Sequence, residues 1–256
     1  MNGISGTGSG SQNYLYSALS SGKKVQTAAQ GASELAILKK QERQVGGFDE
    51  GTRNLQSGKN ALNIADGATA EITENLQRMR ELAVKASNGT LSDDDRSYIQ
   101  SEIDGLKKGI GEIADRTNYN GVPLLDNEDG KVFQVASDAN GTTQSFSTVN
   151  ATLESLGIAD FDVTGDFDIK SLDNALAKVS QGRASLGAQS NAFDASINYN
   201  NTVSYNTTAS QSRIGDTEYG DYIRKLQTQG ILDNVQLMMQ RRQMEEEERQ
   251  KTGLFN

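Results

Sequence analysis

Between residues 99 and 113, apolar side chains stand at Ile99, Ile103, Leu106, Ile110 and Ile113, at intervals of 4, 3, 4 and 3. This alternation constrains the fold more tightly than any other feature of the chain. It draws one narrow apolar line along an α-helix and no coherent face on a strand, so the segment needs a helical partner to cover that line. A partner stands immediately upstream, where Leu62, Ala65, Ala68, Ile72, Leu76, Met79 and Ala83 recur every three or four residues. Asn88-Gly89 stops the first helix. Ser92, followed by Asp93, Asp94 and Asp95, supplies a capping hydroxyl and places acids in the positive first turn of the second. The loop is short, so the two helices fold back on each other.

The remaining segments follow by the same reasoning. Residues 1–14 are Gly/Ser-rich and read as a flexible tail. Residues 14–40 carry a weak helical pattern broken by Gly22 and Gly31. Lys131–Ala136 and Gln144–Val149 read as two strands about the turn Asp138-Ala139-Asn140-Gly141. Residues 158–168 read as loop or edge strand. Leu172, Leu176, Val179, Leu186, Phe193 and Ile197 share one heptad frame whose polar gaps hold Arg183 and Ser190. Helical pattern resumes at Thr217 and ends in a charged tail containing Glu245–Glu248. The expected fold is mainly α: an elongated helical rod, a coiled-coil-like bundle of N- and C-terminal helices with a small β-hairpin.

Composition agrees with narrow seams in place of a thick core, since apolar residues make up 35% of the chain and aromatics 6%. The chain has no His, Cys or Trp. Thiolate nucleophiles, Ser-His pairs and N/S-type metal sites are therefore excluded, and no enzyme activity and no cofactor are expected. A net charge of −9 argues against nucleic-acid binding. No run is long and apolar enough to span a membrane, and the N-terminus lacks the pattern of a secretory signal.

Several motifs then coincide in order. Leu19-Ser20-Ser21-Gly22, with Lys24, Val25, Ala28, Ala32 and Ile37, looks like the LSSGxRI segment of bacterial flagellins. Leu76–Val84, LQRMRELAV, is similar to the family's signature helix, and Asn88-Gly89-Thr90 with Asp93–Arg96 to its inter-helix turn. Asn118-Tyr119-Asn120-Gly121 with Leu124-Leu125 resembles the NFNGxxLL turn, and Ser212-Arg213-Ile214 with Asp216 the SRIxDxD element. The tail departs from the family, being charged where flagellins are Gln/Ala-rich and apolar.

The resemblance implies a self-assembling filament subunit with two modules. A terminal, filament-core module would comprise residues 1–34 and 213–256. A rod module would comprise 35–149, with the hairpin, and 171–212. Residues 150–170 would form a short connection where larger members carry outer domains. It also implies an extracellular place in the flagellum, reached without a cleaved signal peptide. The implied partners are further copies of the chain, an export chaperone, and cap and junction proteins. The alternatives are a hook–filament junction protein and a secreted flagellin-like binding module that forms no ordinary filament.

Two kinds of functional residue are expected. Leu76, Met79, Ala83, Ile99, Ile103, Leu106, Ile110, Leu176, Val179 and Leu186 would form the rod seam. Gln77, Arg78, Arg80, Glu81, Leu82 and Arg213 would lie outside it as a subunit or receptor interface. On the residues alone, Gln77, Arg78 and Leu82 read first as a solvated helix face beside the Met79/Ala83 seam. By resemblance, they fall in the patch that Toll-like receptor five recognises in flagellins. The acidic residue that flagellins add to that patch falls on Gly109 here, which implies weakened receptor contact.

Overall fold

The computed structural model describes residues 7–127 and 132–253, with side chains from 13 to 249 within those ranges. Helices α1 (Thr7–Ser21), α2 (Ala28–Ala86) and α3 (Asp93–Arg116) precede strands β1 (Asn118–Tyr119), β2 (Val122–Pro123), β3 (Val132–Ala136) and β4 (Thr143–Ser147). Helices α4 (Leu153–Leu156), α5 (Lys170–Gly215) and α6 (Tyr219–Gly253) complete the chain. The protein is mainly α. It divides into two compact units, residues 45–204 and residues 1–44 with 205–256.

In the unit 45–204, α2, α3 and α5 close around one apolar cluster. Leu76, Met79, Ala83, Ile103, Ile110 and Val179 are fully buried there, Ile99 and Leu186 nearly so, and Leu106 and Leu176 pack half-buried at its margin. Each fully buried aliphatic side chain contributes about 1.5–3 kcal/mol relative to exposure. Asn88 and Gly89 separate α2 from α3. The second helix begins with a reciprocal cap, in which Asp95 N donates to Ser92 Oγ at 3.1 Å and Ser92 N donates to Asp95 Oδ2 at 3.1 Å.

Two antiparallel strand pairs follow α3. β1 and β2 pair through Asn118↔Pro123 and Tyr119↔Val122 across Asn120-Gly121, both with positive φ (51° and 77°) as a tight primed turn requires. β3 and β4 pair in the register Val132↔Ser147 to Ala136↔Thr143. Lys131, placed in the first strand on sequence, lies outside the described residues.

The larger hairpin is docked by absent side chains. A Cβ at Gly47 would lie 2.3 Å from Ala139 Cβ, one at Gly51 2.2 Å from the Ser137 carbonyl oxygen, and one at Gly58 2.6 Å from Phe193. On α5, a Cβ at Gly182 would lie 2.7 Å from Val149. At Gly47 and Gly51 helix and hairpin approach closely only because the residue is glycine, while Gly58 makes room for Phe193 of α5 and Val135 of β3, and Gly182 for Val149 just beyond β4. Asn200 Nδ2 then donates to the Ser137 carbonyl at 2.6 Å, and Ser147 N donates to Gln189 Oε1 at 3.1 Å. Phe133 stacks on Phe146, which meets Phe193 edge-on.

The connection to α5 is a packed part of this unit. Thr152 caps α4, and Gly157 ends it in a left-handed conformation. Ile158 and Val163 are fully buried, and Phe161 nearly so. Val163 N donates to Gln100 Oε1 at 2.9 Å, which ties the segment to α3.

In the unit formed by both chain ends, residues 7–14 begin α1 and do not form the flexible tail that their composition suggests. Leu15 and Ala18 bury against Tyr222 of α6, and this tertiary contact overrides weak local propensity. Residues 1–6 lie outside the described part. The LSSG and SRIGD motifs meet here. Lys23 and Asp216 form an antiparallel bridge. Lys24 N donates to the Gly215 carbonyl at 2.7 Å, and Thr217 N to the Gly22 carbonyl at 2.9 Å. Tyr219 Oη donates to the Leu19 carbonyl and Tyr14 Oη to the Lys24 carbonyl. Two sequence elements 193 residues apart are thus halves of one clasp.

Candidate interaction surface

The exposed side of α2 beside the seam carries Gln77, Arg78, Arg80 and Glu81. Helical geometry sends neighbouring residues of this stretch to different flanks. Arg78 leans toward α3, where its Nε donates to Glu102 Oε1 at 2.8 Å, and Nη1 reaches Glu81 Oε2 at 3.2 Å. The Glu102 carboxylate first, and Glu81 second, hold the Arg78 guanidinium above its ordinary pKa. Arg80 leans the other way, and its Nε donates to Asp173 Oδ1 of α5 at 2.6 Å.

Arg80–Asp173 is one of three ion pairs that run along α2 and α5. Arg183 Nε donates to Asp66 Oδ1 at 3.0 Å, and Lys59 Nζ lies 2.6 Å from Asp194 Oδ1. The pairs descend along α2 as they ascend along α5, so the two helices are antiparallel. Each is at least a third exposed on one side and adds little to stability; together they fix which faces of the helices meet. Asp66, Asp173, Asp194 and Glu102 carry no motif of their own. Their only signal in the sequence is opposite charge flanking the apolar frames.

Leu82 does not belong to this exposed patch. It is 4% exposed and joins the cluster with Met79, Ala83 and Ala86. The apolar stripe of α2 is wider than a two-helix seam because α3 and α5 both cover it. The polar remainder of the patch is Gln77, Arg78 and Glu81, with Val84 51% exposed beside them. Gly109 on α3 faces α2, and a Cβ there would touch Asn75 Nδ2 at an ordinary 3.7 Å. Arg213 is exposed and lies in the other unit, within the SRIGD half of the clasp.

In that other unit, α6 bears Ile231, Leu232, Val235, Leu237, Met238, Met239 and Met244, each at least half exposed. Ile231, Val235 and Met238, spaced i, i+4, i+7, and Leu232 with Met239 beside them, form a continuous apolar stripe on one side of the helix. Among the described residues, no group of three or more potential ligands could hold a metal, and no helix is long and apolar enough to cross a membrane.

Residues 4–129 match the family model for the bacterial flagellin N-terminal helical region. The chain is 32% identical to a flagellin of Halalkalibacterium halodurans over 86% of its own length and 84% of that protein. The bacterial flagellin family claims this chain. It is likewise 32% identical to the flagellin of Bacillus subtilis, over 93% of its own length and 91% of the relative. The crystal structure of Bacillus cereus flagellin aligns with 58% of this flagellin and 88% of that chain, at 33% identity and a TM-score of 0.52. A flagellar hook-associated protein from Vibrio parahaemolyticus shares the fold at 15% identity, with a TM-score of 0.61 over 73% of this chain and 98% of that one. This flagellin is accordingly a structural subunit of the extracellular flagellar filament and not an enzyme.

Proposed function

We propose that this flagellin assembles through a terminal module, residues 1–34 and 213–256, while a rod module, residues 35–149 and 171–212, stiffens the subunit and supplies the lateral contacts. The apolar stripe on α6 carries this reading. A helix with seven half-exposed aliphatic or Met side chains among its described residues is stabilised when further copies cover it. Gln77, Arg78, Arg80, Glu81 and Arg213 supply exposed polar contacts between neighbouring subunits, and 150–170 substitutes for an outer domain. Before assembly the Met-rich stretch suits an export chaperone, because Met side chains adapt to varied grooves. The finished filament ends meet cap and hook-associated proteins.

The test is precipitant-induced polymerisation of the full chain, imaged by electron microscopy. Val235→Asp removes one half-exposed aliphatic from the stripe and leaves the folded monomer intact by circular dichroism. The reading expects filaments from the parent and persistent monomers from the variant. Equal filament yield from both would overturn it.

The second reading concerns recognition by Toll-like receptor five. Arg78 is already engaged by Glu102 and Glu81, Leu82 is buried, and Gly109 contributes no carboxylate. Receptor binding is therefore reduced, not absent. Gly109→Glu fits beside Asn75 and strengthens binding in a receptor-binding assay. An unchanged affinity would remove Gly109 from the explanation.

A further inference from the structure

Three Asn-Gly pairs lie in described turns: Asn88-Gly89, Asn120-Gly121 and Asn140-Gly141. In any such pair the glycine backbone nitrogen can attack the Asn side-chain carbonyl, because no Cβ obstructs the approach. A folded chain sets the three rates apart through the groups that surround the reacting atoms.

Asn88 is prepared for this attack. Its Oδ1 accepts hydrogen bonds from Thr90 N at 3.1 Å and from Thr90 Oγ1 at 2.9 Å. That oxygen gains negative charge as the tetrahedral intermediate forms, so two fixed donors act on it as an oxyanion hole does. Asn88, Gly89 and Thr90 are all exposed, and nothing stands within 4 Å of a Cβ built on Gly89. Among the described backbone hydrogen bonds of turns and loops, none has Gly89 N as donor.

The other two pairs lack this preparation. Gly141 N, the would-be nucleophile, donates to the Asp138 carbonyl at 3.4 Å, and Asn140 N is held by the Asp138 carboxylate at 2.7 Å. Asn120 is fixed in the left-handed region at φ 51° by the β1–β2 turn, and no donor reaches its Oδ1 among the described hydrogen bonds.

We propose that the α2–α3 turn is a self-modifying site, at which Asn88 is converted to aspartate and isoaspartate ahead of Asn120 and Asn140. Gly89 N gives up its proton to hydroxide and bonds to Asn88 Cγ. Water then protonates Nδ2 and regenerates the hydroxide, the Cγ–Nδ2 bond breaks, Nδ2 leaves as ammonia, and a five-membered succinimide remains. Water opens the ring at either carbonyl, to aspartate or isoaspartate, with no change of oxidation state. Aspartate keeps an acceptor oxygen for both Thr90 donors. Isoaspartate lengthens the main chain between α2 and α3 and disturbs the Leu91 N to Asn88 carbonyl bond of 3.2 Å. The turn thereby records the age of a subunit.

The full chain is incubated in mildly alkaline buffer, and deamidation is followed site by site with peptide mass spectrometry. Asn88 converts first in the folded protein, and in urea the three sites converge on similar rates. Thr90→Ala removes the hydroxyl donor and slows Asn88 roughly fivefold, the rate equivalent of about 1 kcal/mol, with the other sites unaffected. Thr90→Ser retains both donors and the parental rate. General unfolding by a substitution would instead accelerate Asn120 and Asn140, so it is distinguishable. Faster conversion of Asn120 or Asn140 in the folded chain, or an undiminished Asn88 rate in Thr90→Ala, would overturn the proposal.

Discussion

Replacing Gly51 with alanine adds one methyl group to a helix, a change that ordinarily stabilises. In the middle of a helix the substitution is favourable by about 1 kcal/mol, since alanine loses less backbone freedom on folding. At Gly51 the new carbon would lie 2.2 Å from the Ser137 carbonyl oxygen, 2.6 Å from its carbon and 2.9 Å from Asp138 N. All three are backbone atoms, so no side-chain rotation relieves the clash, and the hairpin must lift from α2. Overpacking of this kind costs about 1–3 kcal/mol. Displacing the Ser137 carbonyl also strains its buried bond from Asn200, which is worth about 1–3 kcal/mol if lost. The net expectation is destabilisation by about 2 kcal/mol. Gly67 provides the control, because it lies in the same helix with nothing within 4 Å of a built Cβ. Gly67→Ala stabilises by up to about 1 kcal/mol. Urea denaturation of both variants, followed by circular dichroism, compares the signs directly. If Gly51→Ala is as stable as Gly67→Ala, the docking of the hairpin through a glycine stripe is wrong.

Three further outcomes are expected. Leu82→Ala lowers stability by about 2–4 kcal/mol in urea denaturation, whereas Gln77→Ala on the adjacent exposed position stays within about 0.5 kcal/mol; equal effects would return Leu82 to the surface. The Lys23 ammonium first, and Ser212 second, hold the Asp216 carboxyl below its ordinary range. That stabilisation is present above the unfolded carboxyl value near 4 and is lost as pH falls through the lower folded value. Lys23→Met therefore raises the Asp216 pKa measured by NMR, and an unchanged titration would break the clasp assignment. Burial first, and the Tyr14 hydrogen bond second, push the Tyr222 hydroxyl up to about 12. Its contribution is whole below the unfolded value near 10 and disappears as pH rises toward 12, so α1 loosens from α6 over that window. Hydrogen exchange at Leu15 and Ala18 across an alkaline series reads this directly, and constant protection would count against it.

Periodicity made the helices legible because burial along α2, α3 and α5 repeats at helical spacing, and the Ser92 cap is written locally. Leu82 was misplaced because a narrow seam was expected where two helices cover α2. Gly47, Gly51 and Gly58 drew no expectation from the sequence. Their purpose depends on a hairpin more than 75 residues downstream, which no local window contains. The clasp was present as two recognisable motifs, but nothing in either segment states that Lys23 meets Asp216. Arg78 and Arg80 were correctly read as exposed, while their partners Glu102 and Asp173 became evident only once the helices were placed side by side.

Methionine oxidation tests the assembly account most directly. Met238, Met239 and Met244 are 65%, 57% and 62% exposed on α6, while Met79 is fully buried in the seam and serves as an internal control. Peroxide treatment of monomers and of assembled filaments, followed by peptide mass spectrometry, reports sulfoxide at each position. The account predicts rapid oxidation of the three α6 methionines in monomers, strong protection in filaments, and a resistant Met79 in both. Filaments whose α6 methionines oxidise as fast as those of monomers would contradict it.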